Sequence, residues 1–273
     1  MVEEYGAEYI KLDYNQDVGI GADNYGLNPL YGFENASEAY LVWVDEIRRL
    51  FPSVLFETCS SGGMRMDYGT LSHFSIVSTS DQTRYFNYPY IAGNVLAAVL
   101  PEQAAVWSYP VDSFGNESSQ FSATKEWCEE NVSEEQVVVN MINSFLGRIH
   151  LASHLELLSE RKLSLIKEGL SYYNSLTDAK KKALPYFPKG FAEFGADEVV
   201  SGFQTEDKIY LAVWSLKGNN EITVPFDMPI KGGKVVYPLD LPTDYSIENG
   251  TLNIRFSKEA SARFFEIEKE RRG

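Results

Sequence analysis

The chain has 273 residues, a formal net charge of -15 at pH 7 and a pI near 4.7. This acidity argues against nucleic acids and anionic membrane surfaces as partners, because both select basic patches, whereas neutral sugars stay allowed. Aromatic residues make up 14% of the chain, which fits a sugar-binding cleft lined with rings. Cys59 and Cys128 give no disulfide framework, and neither a signal peptide nor a span of about 18 apolar residues is visible, so we expect a cytoplasmic protein.

Up to about residue 190, short strand patterns alternate with helix patterns, which predicts parallel strands. A capping box of the form Ser-x-x-Gln, from Ser133 to Gln136, marks the start of one helix. The predicted strands lie near 9–13, 53–58, 75–80, 103–107 and 148–152, and the predicted helices over 36–50, 90–100, 133–146 and 160–176.

Beyond residue 190 the pattern changes to runs of period 2 that are separated by Gly and Asn turns. These runs cover 208–214, 221–224, 252–256 and 262–267. The sequence therefore predicts an α/β part over 1–190 and a small antiparallel β domain over 191–273.

The strand spacing in the first part is typical of an α/β barrel, in which one unit of strand, loop and helix takes roughly 25 to 40 residues. A closed barrel has eight such units, and about five are visible here. The predicted fold class is thus α/β, a partial (β/α)8 TIM barrel followed by a small antiparallel β-sandwich domain. We expect a C-terminal part of a longer enzyme, which in isolation would be poorly soluble or oligomeric because strand edges and apolar surface are exposed.

Three polar clusters, at 11–15, 57–63 and 80–83, follow three of these strands. Alternation along the first strand places Lys11, Asp13 and Asn15 on one side, so an ammonium, a carboxylate and an amide share a pocket. Strand ends gather on one face of such a barrel, where Asp13 and Asp81 could meet. By themselves Lys11 and Asp13 would be a structural ion pair. The three clusters together favour an active-site rim.

These clusters resemble the motifs of glycoside hydrolase family 36, the α-galactosidases, and the resemblance covers essentially the whole chain. The family motif Lys-Trp-Asp-x-Asn resembles residues 11–15, Cys-Ser-Ser-Gly-Gly-x-Arg-x-Asp resembles 59–67, and Ser-Asp-x-Thr resembles 80–83. The resemblance implies a (β/α)8 barrel between an N-terminal β-sandwich domain and a C-terminal β domain.

The resemblance also implies roles for individual residues. Asp13 is then the nucleophile and Asp81 the general acid/base of a retaining glycosidase, whose two carboxyl groups lie about 5 to 5.5 Å apart. This chemistry needs Asp13 ionised and Asp81 protonated, and it needs no metal or organic cofactor. The residues implied to contact the galactosyl hydroxyls are Lys11, Asn15, Cys59 and Gly62.

The sequence departs from the family at three places near these motifs. Leu12 stands where many members have Trp, Arg84 where many have a second Asp, and 106–108 where many carry a His. These changes leave the aglycone preference open. Arg84 could contact an outer sugar hydroxyl or act on the charge of Asp81, and the sequence does not choose between these roles.

Aromatic and histidine residues allow both functional and structural interpretations. Trp107, at the end of the fourth predicted strand, is interpreted as part of a sugar platform, and Trp43, on an amphipathic helix, as a core residue. His150 and His154 have a spacing that can bind metal on a helix, but no Glu-bearing zinc motif surrounds them, so core or rim histidines are favoured.

The loop motif also has structural interpretations. Cys59 is expected to line the pocket rather than act as a nucleophile, since no Cys/His signature accompanies it. Gly62 either forms a tight turn or lets the backbone approach a ligand. Arg65 and Asp67 could bind substrate or brace the loop, and bracing is favoured.

The predicted function is a retaining exo-α-galactosidase that hydrolyses terminal α-D-galactosyl residues of raffinose-type oligosaccharides or melibiose. An α-N-acetylgalactosaminidase or a galactosyltransferase of the raffinose-synthase type shares the two-carboxylate chemistry and stays open. A non-catalytic carbohydrate-binding or assembly fragment is the alternative from another class. The expected partner is an α-galactoside oligosaccharide, with a homo-oligomer as a further expectation because family members are frequently oligomeric.

Overall fold

A computed structural model describes residues 2–15, 28–111, 123–218 and 221–270. The chain divides into two compact units, a first unit Met1–Asp81 and a second unit Gln82–Gly273. Among the described helices, none combines the length and the apolar character that crossing a membrane requires.

The first unit contains three parallel strands in the order β1-β2-β3. In their register Lys11 lies opposite Glu57 and Asp13 lies opposite Cys59. The carboxyl ends of the strands therefore lie at one edge. The elements are α1 Val2–Tyr5, β1 Tyr9–Asp13, α2 Pro29–Leu50, β2 Leu55–Cys59, α3 Tyr68–His73 and β3 Ile76–Ser78.

Helix α2 begins earlier than predicted because Asn28 caps it. The Asn28 side chain accepts a hydrogen bond from the Tyr31 N–H at 2.9 Å, and Pro29 occupies the first turn. Val44 of α2 is buried against strand β2. The prediction that Trp43 is a core residue is wrong, since Trp43 is 50% exposed: it precedes Val44 by one position and points about 100° away around the helix.

The second unit begins with parallel strands β4 Ala104–Ser108 and β5 Arg148–Leu151, with Trp107 opposite His150. Helix α6 is buried from Gln136 to Phe145, and the hydroxyl of Ser133 accepts from the Gln136 N–H at 3.0 Å, as its predicted cap requires. The Gln136 side chain instead donates to the Pro110 carbonyl. The helices are α4 Pro89–Ala92, α5 Lys125–Asn131, α6 Glu134–Phe145, α7 Glu160–Ser175 and α8 Thr177–Lys180, with 3-10 turns at Val95–Ala97 and Leu155–Leu157.

One predicted helix is wrong in form. The segment 90–100 folds as the short helix α4 and a 3-10 turn rather than as one helix.

Two antiparallel sheets complete the second unit, in the orders β10-β13-β8-β7-β6 and β11-β12-β9. Alternate residues of β8, such as Ile209 and Leu211, share one apolar core with Ile222 and Leu252 of the smaller sheet, as in a β-sandwich. The strands are β6 Leu184–Tyr186, β7 Glu198–Gln204, β8 Lys208–Ser215, β9 Glu221–Pro225, β10 Ile230–Tyr237, β11 Asp244–Glu248, β12 Thr251–Arg255 and β13 Ser261–Lys269.

The α/β class and the antiparallel sheets that follow are confirmed. All five predicted strands of the first part are present, with β1 to β3 parallel to one another and β4 parallel to β5. The four predicted period-2 runs coincide with β8, β9, β12 and β13. The division into 1–190 and 191–273 stays a prediction, and β6 at Leu184–Tyr186 already pairs with β7 of the antiparallel sheet.

Candidate functional site

The candidate site lies at the carboxyl ends of β1, β2 and β3. Asp13 is the last residue of β1, is exposed, and lies opposite the buried Cys59 on β2. The Tyr14 N–H donates to the Cys59 carbonyl at 3.0 Å, which continues the pairing one residue beyond the strand. Asp13 and Cys59 are therefore neighbours at the edge where parallel sheets bind ligands.

Asn15 holds the loop that follows β2. Its side-chain oxygen accepts a hydrogen bond from the Ser61 N–H at 2.6 Å. Ser61 and Gly62 both have left-handed backbone conformations, with φ of 43° and 76°. A non-glycine residue in this region costs free energy, and Asn15 offsets part of that cost at Ser61.

The two glycines of the loop let it pack against the segment after β3. A Cβ on Gly62 would lie 2.6 Å from the backbone nitrogen of Asp81, and one on Gly63 would lie 2.5 Å from the Thr79 carbonyl oxygen. Any side chain at Gly62 would thus displace Asp81, which is exposed. Residues 60–63 therefore form a wall that contacts Asn15 on one side and the Asp81 backbone on the other.

Below Asp13, Lys11 faces a buried carboxylate. The Lys11 Nζ atom lies 3.8 Å from Oε1 of Glu57, whose side chain is 1% exposed. The hydroxyls of Tyr9 and Ser78 donate to the two Glu57 oxygens. The motifs predict no role for Glu57, although a carboxylate inside an apolar strand is a signal, because such residues are rarely buried without partners.

Asp67 braces the loop, as predicted, by capping α3. Its carboxylate accepts from the Thr70 N–H at 2.9 Å and from the Thr70 hydroxyl at 2.7 Å. Burial acts to raise the pKa of Asp67, but the hydrogen bonds from Thr70, together with the backbone N–H groups of Asp67 and Gly69, outweigh it and lower that pKa. Arg65 extends the brace, since its guanidinium lies over the rings of Tyr14 and Tyr40 at 4.9 and 5.7 Å.

Two predicted site residues, Trp107 and Arg84, lie in the second unit. Trp107 is partly exposed, stacks on Tyr109 at 5.9 Å and meets the edge of the His150 ring at 5.2 Å. Arg84 has an exposed side chain, and its backbone N–H donates to the Gln82 side chain at 3.0 Å. The second unit thus holds an aromatic group at the end of β4.

The two histidines at i and i+4 do not share a helix. His150 lies on β5, whereas His154 is in the following loop and its ring nitrogen is 2.8 Å from a Glu156 oxygen. Over the described ranges, no three His, Cys, Asp or Glu side chains cluster in a way that could hold a metal ion.

One family model, described as Melibiase, matches residues 1–95. This stretch includes all three polar clusters and both candidate carboxylates, Asp13 and Asp81. No curated protein matches the chain.

Solved α-galactosidase structures resemble the chain over nearly its whole length. The enzyme from Lactobacillus brevis is 15% identical with a TM-score of 0.71, over 100% of this chain and 37% of that one. The family 36 enzyme AgaB from Geobacillus stearothermophilus is 18% identical with a TM-score of 0.69, over 98% of this chain and 36% of that one. AgaA from the same organism, in complex with raffinose, is 18% identical with a TM-score of 0.66, over 96% of this chain and 35% of that one.

The chain thus spans about a third of the length of these enzymes, and at such identities the likeness concerns the fold. An α-amylase from Anoxybacillus also matches, with 7% identity and a TM-score of 0.57, over 100% of this chain and 61% of that one. The fold alone therefore does not identify the sugar on which the chain acts. The family model and the α-galactosidase structures together confirm the resemblance to glycoside hydrolase family 36 that the motifs predict.

Proposed function

We propose that the chain carries the two catalytic carboxylates of a retaining exo-α-galactosidase, with Asp13 as nucleophile and Asp81 as general acid/base. The observation that carries this proposal is the loop 60–63, which lies beside Asp13 and packs directly on the Asp81 backbone. Both carboxylates belong to one compact unit, and the Melibiase model covers it.

The spacing of the strands supports this pairing. Asp13 and Asp81 follow β1 and β3, which are separated by β2, so these strand ends are about 10 Å apart. Two aspartate side chains that point toward each other across the end of β2 reduce this to the ~5 Å of a retaining pair. We further propose that the five parallel strands are part of a (β/α)8 barrel, whose catalytic groups lie at the carboxyl ends of its strands.

In the first step, the Asp13 carboxylate attacks the anomeric carbon while the Asp81 carboxylic acid protonates the glycosidic oxygen. The leaving sugar departs as an alcohol, and the galactosyl group is bound covalently to Asp13. In the second step, the Asp81 carboxylate takes a proton from a water molecule, which attacks the same carbon and releases Asp13. Two inversions leave galactose with its α configuration retained.

The sugar contacts follow from the groups that surround Asp13. Lys11 supplies a cation on the same face as Asp13 and donates to a galactosyl hydroxyl. Asn15 retains its amide N–H groups for donation after its oxygen has bound Ser61. Cys59 and Gly62 form the wall of the pocket. Sugar binding by Trp107 and Arg84 stays a prediction.

The proposed substrates are raffinose-type oligosaccharides and melibiose. The AgaA enzyme was solved with raffinose and, as another variant, with stachyose. Because Leu12 and Arg84 depart from the family pattern near the motifs, the preference for the leaving group is the part of the proposal that needs measurement.

The first test is hydrolysis of p-nitrophenyl α-D-galactoside by the chain and by Asp13→Asn. The matched control is Asp178→Asn, which makes the same change at an exposed aspartate in an i,i+3 pair with Lys181. We expect activity in the wild type and the control, and a loss of about a thousand-fold or more in Asp13→Asn. No activity in the wild type, or equal activity in Asp13→Asn, would contradict the proposal.

A non-catalytic carbohydrate-binding or assembly segment is the second candidate. Calorimetric binding of galactose without turnover in the same preparation would support this candidate over the first.

A further inference from the structure

The loop that connects β6 to β7, residues 187–197, presents two large aromatic side chains at the surface of the second unit. Phe191 is 65% exposed and Phe194 is 82% exposed. The Phe191 ring meets the edge of the Phe187 ring at 4.9 Å, whereas the Phe194 ring lies 5.1 Å from the ring of Tyr90. Exposed rings that gather on one short segment are typical of a binding surface rather than of a folded core.

Residues in and just after helix α4 hold this loop in place. The Asn94 side chain bonds both backbone groups of Ala192, since its amide donates to the carbonyl at 2.8 Å and its oxygen accepts from the N–H at 2.9 Å. The Tyr90 hydroxyl donates to the Ala196 carbonyl at 2.8 Å. The backbone of the loop is therefore fixed by the fold itself, and a fixed site pays less entropy when a ligand binds.

The loop and the first residues of β7 line a pocket of about 250 Å³. Its lining includes the Phe191 ring, the exposed Glu193 and an ion pair between Lys189 and Glu198. Pockets for drug-sized ligands have about 300 to 1,000 Å³, so this smaller one has room for a single ring.

These groups match the chemistry of a sugar ring. The phenyl ring of Phe191 can cover the apolar C–H face of a pyranose, while the carboxylates accept hydrogen bonds from its hydroxyls and the Lys189 ammonium donates to them. The lining carries charges of both signs and the chain has a net charge of -15, which together disfavour an anionic ligand. A neutral ligand with one apolar face and a rim of hydroxyls uses all of the lining groups.

We propose that the pocket beside Phe191 is a second sugar-binding site, which holds one neutral hexose residue of a longer saccharide against the Phe191 ring. All of its lining residues belong to the second unit, and neither Asp13 nor Asp81 is among them. The site therefore binds sugar without turnover, and its test does not depend on the proposed catalytic function.

The test is affinity electrophoresis in a native gel that contains soluble galactomannan, which offers both backbone hexoses and terminal galactosyl groups. The parent protein is Asp13→Asn, so that hydrolysis through Asp13 does not consume the polymer. We expect the polymer to retard this parent relative to serum albumin. Adding Phe191→Ala should lower the apparent affinity about fivefold or more, because the stacking surface is lost.

The matched control is Phe194→Ala, which removes an even more exposed ring from the same loop, outside the pocket lining. It should be retarded as strongly as the parent. Phe191→Leu keeps apolar bulk without an aromatic face and should lose affinity as Phe191→Ala does, and it replaces that variant if circular dichroism shows that Phe191→Ala is not folded.

A parent that the polymer does not retard would overturn the proposal, as would equal retardation of the parent and the Phe191 variants. A loss of the same size in Phe194→Ala would also overturn it, since the pocket would then not be the cause. Sedimentation velocity covers the remaining explanation: a dimer that Phe191→Ala dissociates while retardation is kept would make this surface a contact between copies of the chain. If the wild-type chain does not hydrolyse p-nitrophenyl α-D-galactoside, the proposed function fails, and the retardation still decides whether the pocket binds sugar.

Discussion

The two units bury ion pairs of opposite character. In the second unit, Arg263 is 4% exposed and donates five hydrogen bonds, two of them to the Glu135 carboxylate at 2.8 Å. In the first unit, Glu57 is as deeply buried, but its cation Lys11 lies 3.8 Å away and is partly exposed. All five N–H groups of Arg263 thus donate inside the fold, whereas the Lys11 side chain is 29% exposed and reaches the surface beside Asp13.

The largest expected effect tests whether the exposed carboxylates of the first unit do the chemistry. Asp81→Ala should slow raffinose hydrolysis by about 10² to 10⁴, the usual contribution of a general acid. It should slow p-nitrophenyl galactoside hydrolysis much less, because nitrophenolate leaves without protonation. Steady-state kinetics on both substrates measures this, and the same loss on both would show that Asp81 is not the acid.

The next effect tests the saturated pair of the second unit. Arg263→Ala leaves Glu135, whose side chain is only 12% exposed, without its partner and should lower the free energy of unfolding by about 3 to 5 kcal/mol. Arg255→Ala is the matched control, since Arg255 lies on β12 and pairs with Glu221 while both side chains are exposed, and it should change stability far less. Urea unfolding of the two variants gives the comparison. Similar losses of stability in both would mean that the Arg263–Glu135 pair does not stabilise the fold more than an exposed pair does.

A smaller effect tests the close packing of loop 60–63. Gly62→Ala should lower the free energy of unfolding by about 1 to 3 kcal/mol and reduce galactoside hydrolysis, because its Cβ would collide with the Asp81 backbone. Gly250→Ala is the control, since Gly250 has a similar φ of 73° but nothing within 4 Å of an added Cβ. If hydrolysis falls equally in both variants, the contact with Asp81 does not matter.

The smallest effect concerns the cap of α3. Because folding lowers the pKa of Asp67, its ionised form stabilises the fold above the unfolded pKa. This contribution to stability is lost as the pH falls through the lower pKa that Asp67 has in the folded state. Asp67→Asn keeps a capping residue without the charge, so the stability difference from wild type should shrink between about pH 6 and about pH 3. Urea midpoints over this range measure the difference. A difference between wild type and Asp67→Asn that does not change with pH would contradict a stabilising role for the Asp67 charge.

Elements with a strong local signal could be predicted from the sequence. The five predicted strands of the first part and the cap at Ser133 are present, because hydrophobic periodicity and capping residues are local features of the sequence. Strand β7 was missed because its central residues are buried on both faces, which removes the alternation that reveals a strand. Strand β10 was missed because two glycines interrupt its pattern.

Side-chain environment was harder to predict than element type. Trp43 was placed in the core from an amphipathic pattern, yet the one-residue difference from Val44 decides which side chain is buried. The polar cluster 57–63 by itself predicts no role for Glu57, because its partners Tyr9 and Ser78 come from other strands.

By itself, the sequence determined which chemical groups stand at the strand ends, since the polar clusters follow apolar runs and a motif is a property of neighbouring residues. It also determined that the chain is α/β in its first part and antiparallel in its second. Only the tertiary structure decided that loop 60–63 contacts Asp81 and that Glu57 lies beside Lys11. The first contact depends on the absence of a Cβ at Gly62 and the second on the register of β1 and β2, and such contacts join residues that are 19 to 46 positions apart in the chain.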